Sequence, residues 1–370
     1  MRILFFVHSL RRGGAERVLL EVALGLQKKG HIVEVLSWLR VDEYREERYR
    51  SITRHFTIPK EEYRWPWSIP RASALLGRYV GRFQPDVIEI HTPTVAWVAA
   101  WANSGIPCVQ ALHGYGSITR KDSIKDKAVR VLDRLTQRRL KTNFIVVSES
   151  MTKVAAAHFS LLPACFACVP NGVDLEKFKF TEKMPDRSSS ILMLGTLCSN
   201  KGQTLGIRAF KAVLDTMPNV RLTIVGEGFD RPMLEALAKN NGLEGKVKFL
   251  GRRDDVPKIL SQTHILWQLS ESEGMPMVVL EAMAAGVPVI GFNVRGTRDA
   301  VANNETGYLV DHGDTESVKQ ATVELLRDES RYLNFSLNAR YRAEEFFSFN
   351  GMLDGHERVL RSVTSVNGDE

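Results

Sequence analysis

Cysteine is scarce in this chain: Cys108, Cys165, Cys168 and Cys198 are the only four in 370 residues. Four are too few to staple a chain of this length, so a disulfide scaffold is excluded. Cys165-Phe-Ala-Cys168 is a lone CxxC with neither a second pair nor nearby histidines, which sets aside zinc and thiol redox chemistry. Long apolar runs are missing as well. The longest, Val95-Ala-Trp-Val-Ala-Ala-Trp-Ala102, falls far short of the roughly 20 residues needed to cross a bilayer. There is no GxGxxG followed by an acidic residue about 20 positions on, which removes the nicotinamide dinucleotide fingerprint. Ser148-Glu-Ser150 has no GxSxG elbow around it, and Asp254-Asp255 lacks the spacing of a metal-binding DxD. Short repeats and low-complexity tracts are absent. Met1-Arg-Ile-Leu-Phe-Phe-Val7 reads as a short strand rather than a signal peptide, and with so few cysteines the expectation is a reducing cytoplasm.

What is present is an ordinary globular balance, 44% hydrophobic and 25% charged, in a chain long enough for two domains at roughly 150 residues each. The net charge of +7 is divided unevenly: residues 1–180 hold 28 Lys+Arg against 17 Asp+Glu, and residues 181–370 hold 22 against 26. Opposite signs in the two halves suggest two tasks. A basic half attracts nucleic acid, an anionic membrane or a phosphorylated substrate, and charge alone does not choose among them.

Short apolar runs alternate with helix-period segments, the pattern of parallel sheets wrapped by helices. In the first half the runs are Ile3 to Val7, Ile32 to Ser37, Val87 to Ile90, Cys108 to Leu112 and Phe144 to Val147. In the second they are Ile191 to Leu194, Arg221 to Val225, Val247 to Leu250, His264 to Gln268 and Val287 to Ile290. The expected class is α/β, with two Rossmann-like, doubly wound domains. Residues 1–180 form the first domain, residues 181–190, polar and without apolar period, read as a linker, and residues 191–347 form the second. The tail reads as helix to about Phe347, breaks near Ser348-Phe-Asn-Gly351 and resumes to Val363.

Each domain opens with a strand running into a glycine-containing loop. After Val7, Gly13-Gly14-Ala15-Glu16 leads into a helix, where amides at Gly14 and Ala15 are free to approach an anion. After Leu194, Lys201-Gly202 opens a helix, and a lysine at such a place is disfavoured by the macrodipole unless an anion joins it. The most informative segment is Ser270-Glu-Ser-Glu273-Gly-Met-Pro276-Met-Val-Val-Leu-Glu281. Pro276 suits the first turn of a helix, which puts Glu273 in the preceding loop and Glu281 more than a turn inside. Amides at Gly274, Met275 and Met277 suit a diphosphate, and acceptor-only carboxylates suit sugar and ribose hydroxyls.

Taken in order, Gly13-Gly14-Ala15-Glu16, Pro170-Asn171-Gly172-Val173-Asp174, Lys201-Gly202, Val225-Gly-Glu-Gly228, the pair Glu273 and Glu281, and Gly307-Tyr-Leu-Val310 resemble glycosyltransferase family 4 along essentially the whole chain. The resemblance implies a GT-B fold: two Rossmann-like domains facing across a cleft, the C-terminal one holding a nucleotide sugar, the N-terminal one the acceptor, and the last helix, residues 348–370, crossing back onto the first domain. It further implies that Glu281 binds ribose and that Glu273 contacts the donor sugar hydroxyls. Gly274, Met275, Pro276 and Met277 would line the sugar and phosphate. Lys201 would hold the diphosphate, Gly13 and Gly14 would close over it, and His113 would sit near the donor sugar. Arg17 and Arg120 are acceptor-side cations on the same grounds. Thr196 stands where the family usually has arginine. A hydroxyl donates one hydrogen bond where guanidinium offers a charged fork, so leaving-group stabilisation is expected to be weaker unless Arg252, Arg253 or Arg295 enters.

The sequence therefore points to a retaining hexosyltransferase that uses no metal or other cofactor and carries a hexosyl unit from a nucleotide diphosphate sugar to a glycan or lipid-linked sugar in cell-envelope polysaccharide assembly. The departing phosphate oxygen would take the acceptor proton. The alternative that stays open is a sugar-nucleotide-binding protein of the same fold with impaired catalysis. Nucleic acid is not an expected partner. Between Arg120 and Lys141, Ile124, Ala128, Val131 and Leu135 fall at helical spacing among nine Lys+Arg. That pattern is either an ordinary half-buried helix with its apolar side on the sheet, or a peripheral anchor to the inner face of the plasma membrane.

Overall fold

The computed structural model describes residues 1–365 except Arg12, residues 40–42, Arg45, residues 59–66, Asn103, Gly116, Ser117, residues 119–122 and Arg187. The chain divides into two units, Met1–Asn171 with Asn350–Glu370, and Gly172–Phe349. Residues 181–190 thus lie inside the second unit rather than between the two. Phe178 is buried, and a Cβ on Gly286 would sit 2.5 Å from the Phe180 ring. This apolar anchoring holds the segment to its own unit.

The first unit is a parallel sheet of seven strands: β1 (Arg2–Val7), β2 (Ile32–Leu39), β3 (Thr53–Ile58), β4 (Val87–Ile90), β5 (Cys108–Leu112), β6 (Asn143–Val146) and β7 (Phe166–Cys168). Their order is β3-β2-β1-β4-β5-β6-β7, so the winding reverses between β1 and β4. Strands covered on both faces need near-continuous apolar sequence, and Ile3, Leu4, Phe5 and Phe6 are wholly buried. Flanking helices include α1 (Gly14–Lys28), α3 (Ile69–Phe83), α4 (Pro93–Ala102), α5 (Ile124–Leu140) and α6 (Glu149–Phe159), with the single turn α2 (Glu47–Arg50) before β3. β3 and β7 were not expected from apolar runs. They are the two edge strands, and β3 reads Thr-Arg-His-Phe-Thr-Ile, without the continuous run that marks an interior strand. β7 ends at Cys168, and all four cysteines are free thiols.

The second unit repeats the winding with β8 (Ser190–Leu194), β9 (Arg221–Val225), β10 (Val247–Phe249), β11 (Ile265–Gln268), β12 (Val289–Phe292) and β13 (Gly307–Val310), ordered β10-β9-β8-β11-β12-β13. Here the reversal falls between β8 and β11. β12 starts two residues later than the apolar run suggested, because Gly286 at φ +71° turns the chain out of the preceding helix. The helices are α7 (Gln203–Thr216), α8 (Arg231–Asn240), α9 (Val256–Ser261), α10 (Met277–Ala284), α11 (Thr297–Ala300), α12 (Thr315–Arg327) and α13 (Glu329–Phe346).

The helix break in the tail is where the sequence puts it. α13 ends at Phe346 and α14 spans Phe349–Ser365. The break is held by residue 173, whose N–H donates to Phe347 O (2.8 Å) and whose carbonyl accepts from Phe349 N–H (3.0 Å). Within the first unit α14 buries Met352, Leu353, His356, Leu360 and Val363. Lys29 pairs with Asp354 and, at 2.8 Å, with Glu357. Among the described residues no helix is long and apolar enough to cross a membrane.

α5 corrects an expectation. Its buried side carries Val129, Asp133, Thr136 and Gln137, while Val131 and Leu135 are each 55% exposed and Ala128 is exposed beside them; the Ile124 side chain lies outside the described residues. The expected apolar face is therefore the solvent face. The buried polar groups reach partners on neighbouring elements, while Gln137 Oε1, Gln110 Nε2 and His158 Nδ1 make no hydrogen bond among the described residues. Asp133 accepts from Trp97 Nε1–H at 2.9 Å and faces His158 Nε2 at 2.9 Å, and Gln137 Nε2 donates to Gln110 Oε1 at 2.7 Å.

Candidate functional site

In open α/β sheets the ends of strands flanking the reversal point leave a crevice at their carboxyl ends. In the second unit those ends lead into the loops after β8 and β11. Lys201 closes a 3₁₀ turn, Ser199–Lys201, and Gly202 at φ +71° is the N-cap of α7. The lysine thus stands just ahead of the helix rather than in its first turn. Gly202 is required there, since a Cβ would collide with the Leu269 carbonyl at the end of β11. The contact fixes one loop on the other, and Glu271 N–H donates to Asn200 O at 2.9 Å.

Lys201 Nζ donates to Glu273 Oε1 at 2.6 Å. Gln268 Nε2 donates to the same oxygen at 2.9 Å and to Ser270 Oγ at 2.9 Å. Gln268, the last residue of β11, is the site residue the sequence did not single out; its signal was a polar side chain at the end of an otherwise apolar strand. Pro276 is the N-cap of α10 rather than its first residue, and its carbonyl accepts from Val279 N–H at 3.0 Å. Among the described residues the amides of Gly274, Met277 and Val278 make no hydrogen bond to protein, an arrangement suited to an anion. Met275 is buried and Glu281 is 2% exposed. A Cβ on Gly296 would strike the carbonyls of Glu273 and Gly274, so the loop after β12 lies directly on this segment and brings Arg295 next to it in the chain. Arg253 is held in a fork by Asp255 at 2.7 and 2.6 Å. Thr196 is exposed, and its carbonyl accepts from Gln203 Nε2 at 3.0 Å.

The residues expected on the other half lie in the first unit. Gly13 is the N-cap of α1 and Gly14 its first residue. Tyr44 grips Gly13 from both sides: its Oη donates to Gly13 O at 2.7 Å and accepts from Gly13 N–H at 3.1 Å. Tyr44 was not foreseen, and it leaves Gly14 rather than Gly13 as the open amide. Arg17 stands one turn into α1, its N–H donating to Gly13 O at 3.1 Å. Arg120 lies outside the described residues.

His8, His91 and His113 each follow directly on a strand of this unit, β1, β4 and β5. The structure joins the last two, with His91 Nδ1 at 2.8 Å from His113 Nε2. His91 Nε2 is 3.1 Å from Glu89 Oε1, and His356 Nδ1 of α14 is 3.1 Å from the same oxygen. Glu89 is 0% exposed. Burial alone would raise its pKa, but the charges and hydrogen bonds of His356 and His91 hold it well below the usual carboxylate range. Burial, then the neighbouring His91 and His356, push His113 down to about 3, so it is neutral at pH 7.

Two family models match the chain in tandem, glycosyltransferase family 4 over residues 12–177 and glycosyl transferases group 1 over residues 174–342. A Bacillus anthracis N-acetyl-alpha-D-glucosaminyl L-malate synthase is 34% identical over 157 residues, which are 42% of this chain and 41% of that enzyme, so the chain spans less than half of that relative's length in the match. The Escherichia coli UDP-Gal:alpha-D-GlcNAc-diphosphoundecaprenol alpha-1,3-galactosyltransferase is 27% identical over 66% of this chain and 67% of its own. In fold, the crystal structure of Anabaena HepE in complex with UDP superposes with a TM-score of 0.83 at 20% identity, covering 98% of this chain and all of that one.

Proposed function

The chain belongs to the family 4 glycosyltransferases of GT-B fold, enzymes that draw on a nucleotide sugar, and on that premise we propose that it is a retaining, metal-independent hexosyltransferase acting on a glycan or lipid-linked sugar in cell-envelope polysaccharide assembly. The observation that carries the proposal is the Lys201–Glu273 pair, 2.6 Å apart, beside the open amides of Gly274, Met277 and Val278. A cation and free N–H groups converge there at the carboxyl ends of two strands flanking the reversal, where an anionic ligand is held. In this proposal the diphosphate lies across Lys201 and the N-terminus of α10. Glu273, aimed by Gln268, accepts from sugar hydroxyls, and Glu281 accepts from ribose.

The reaction breaks the bond between the anomeric carbon and the phosphate oxygen and forms one from that carbon to the acceptor oxygen on the same face. The acceptor proton goes to the departing phosphate oxygen. No side-chain base is needed in such a scheme. The protein's part is to hold charge and geometry, which is where electrostatic stabilisers act. Lys201 and the amides supply that charge without a divalent ion. The Escherichia coli relative's name supports a lipid-linked diphosphate sugar as acceptor, and the HepE complex supports a uridine nucleotide as first choice of donor.

The test is a thermal-shift screen of nucleotide sugars followed by a transfer assay with the best binder. A ligand at 100 times its Kd adds about 2.7 kcal/mol. No stabilisation by any nucleotide sugar refutes the proposal, whereas binding without turnover selects the impaired sugar-nucleotide-binding protein that Thr196 leaves open.

Place is the second part of the proposal, favoured by α5. Its outward face combines Ala128, Val131 and Leu135 with exposed Lys127, Arg138 and Arg139, the composition of a helix that lies on an anionic bilayer. Each such cation contributes about 1 kcal/mol near an anionic surface. Arg134 is not among them, because its guanidinium donates to His158 O at 2.9 Å and Ala157 O at 3.3 Å. We expect sedimentation with anionic but not neutral liposomes, lost when Val131 and Leu135 become Ser and Arg138 and Arg139 become Gln. Equal binding to both kinds of vesicle, or to neither, refutes it.

A further inference from the structure

Large apolar side chains left exposed on the first unit gather at one end of a helical layer. α3 packs on α4, α4 on α5 and α5 on α6. Each of the four joins two parallel strands, so all four run antiparallel to the strands and parallel to one another. Asp133 of α5 marks a common level in this layer, since Trp97 of α4 and His158 of α6 both reach it. One turn beyond Trp97 stands Trp101, 62% exposed, and just past the end of α6 stands Leu162, 74% exposed. Between them α5 turns Leu135 outward, with Arg138 and Arg139 three and four residues on along the same side. We propose that the carboxyl-terminal end of the α4–α6 layer, rather than α5 alone, seats the protein on an anionic bilayer, with Trp101 and Leu162 as the side chains that enter the lipid interface. The proposal rests on the reading that α5 meets a membrane, and it adds the anchoring residues and the end of the layer they occupy.

Charge says what covers this end. No acidic residue occurs between Asp133 and Glu149, and none between Glu149 and Cys168. Asp126 and Glu149 stand in the first turns of α5 and α6, at the opposite end of the layer. Arg138, Arg139 and Lys141 are exposed, and their side chains make no ion pair among the described residues. A surface that accepts this end must offer negative charge to the cations and, within one side-chain length, an apolar region to the indole and the leucine. Anionic headgroups above acyl chains offer both at every point, and tryptophan is enriched at that boundary, where its ring lies at headgroup level. Trp67 supplies the contrast. It is 82% exposed, more than Trp101, but it precedes α3 at the amino-terminal end of the layer.

The test is quenching of tryptophan emission in the full-length protein. Vesicles of phosphatidylglycerol and phosphatidylcholine, with the phosphatidylcholine brominated high on its acyl chains, are compared with unbrominated vesicles of the same composition. We expect emission to drop with the brominated vesicles, the drop to vanish in Trp101→Phe and to persist in Trp67→Phe. Trp101→Ser combined with Leu162→Ser should weaken sedimentation with the anionic vesicles by about tenfold or more, the effect of losing two half-buried apolar side chains. Both positions are exposed in the free protein, so an unchanged thermal midpoint is expected for these variants. Vesicle binding with equal quenching in wild type and Trp101→Phe overturns the proposal and leaves the membrane reading of α5 standing. Quenching that follows Trp67 puts the other end of the layer on the lipid and overturns it too. No binding to the anionic vesicles overturns both, and leaves the exposed end to a protein partner.

Discussion

Replacing Lys201 with alanine separates binding from chemistry, because the structure gives the lysine one partner in the free protein and the proposed reaction gives it another. In the free protein it is 28% exposed and pairs with a Glu273 that is 12% exposed. A charge-assisted hydrogen bond contributes about 1.5–3 kcal/mol when protected, and partial exposure discounts this to about 1 kcal/mol. Gln268 still holds Glu273 after the substitution, so the fold should lose no more than that in urea unfolding. The transition state differs: charge gathers on the departing diphosphate, and removing an electrostatic stabiliser there costs roughly 2.7–4 kcal/mol, a factor of about 10² to 10³ in turnover. Ground-state affinity for the nucleotide sugar should fall less, about tenfold, and part of that fall comes from Glu273 now facing the phosphate uncompensated. Hence Lys201→Ala combined with Glu273→Gln should recover nucleoside diphosphate affinity but not turnover. Calorimetry and single-turnover transfer on wild type and the two variants give both numbers. If affinity falls in Lys201→Ala while the saturated single-turnover rate stays within about twofold of wild type, the lysine binds without stabilising the leaving group and the assignment is wrong.

Glu281→Ala should weaken the nucleoside diphosphate as much as the nucleotide sugar, since it is proposed to bind ribose; calorimetry that shows unchanged affinity for the diphosphate alone refutes it. Asp133→Ala strips Trp97 and His158 of a shared acceptor that is 2% exposed, and should destabilise the first unit in chemical denaturation by about 1–3 kcal/mol for each buried donor left unpaired; a loss under about 1 kcal/mol would show the triad is not what holds α5. His113, pushed from 6.5 to about 3 on folding, is neutral folded but protonated unfolded between those values. Its contribution is complete above pH 6.5 and is lost as pH falls toward 3. Urea midpoints at pH 7, 6 and 5 should therefore fall less steeply in His113→Asn than in wild type, and an unchanged slope contradicts the buried neutral imidazole.

How far the sequence alone carries depends on whether a residue's role is local. β1, β4, β5, β9 and β11 were legible because an interior strand of a parallel sheet must be apolar on both faces, and the loops of the second unit were legible because glycine, lysine, proline and paired glutamates sit within a few positions of one another. The edge strand Thr53–Ile58 escaped since one neighbour is all it has, and four of its six residues are polar. The Glu89 cluster escaped for a different reason: His356 lies 267 positions from the carboxylate it touches, and no periodicity spans that distance. Gln268 and Tyr44 act through one well-placed atom each, Nε2 on Glu273 and Oη on Gly13, and a single atom leaves no pattern.

The inversion of α5 shows how such non-local contacts decide which face a helix presents outward. A helical wheel finds two opposed faces on this helix but does not say which one meets the sheet. Apolar area favours burying Ala128, Val131 and Leu135, at about 25 cal/mol per Å². The structure buries Asp133, Thr136 and Gln137 instead, with Asp133 received by Trp97 from α4 and His158 from α6, and Gln137 by Gln110 from β5. The orientation of α5 is therefore set by three partner residues on three other elements. Once they lock the polar face inward, the apolar face has only solvent or a further surface to meet. Exposed Lys127, Arg138 and Arg139 flank that face, so a surface that is both apolar and anionic satisfies all of it together. This coupling predicts that Asp133→Ala, if it folds, weakens liposome binding without touching a single exposed side chain, an effect that a membrane contact made by surface charge alone would not show.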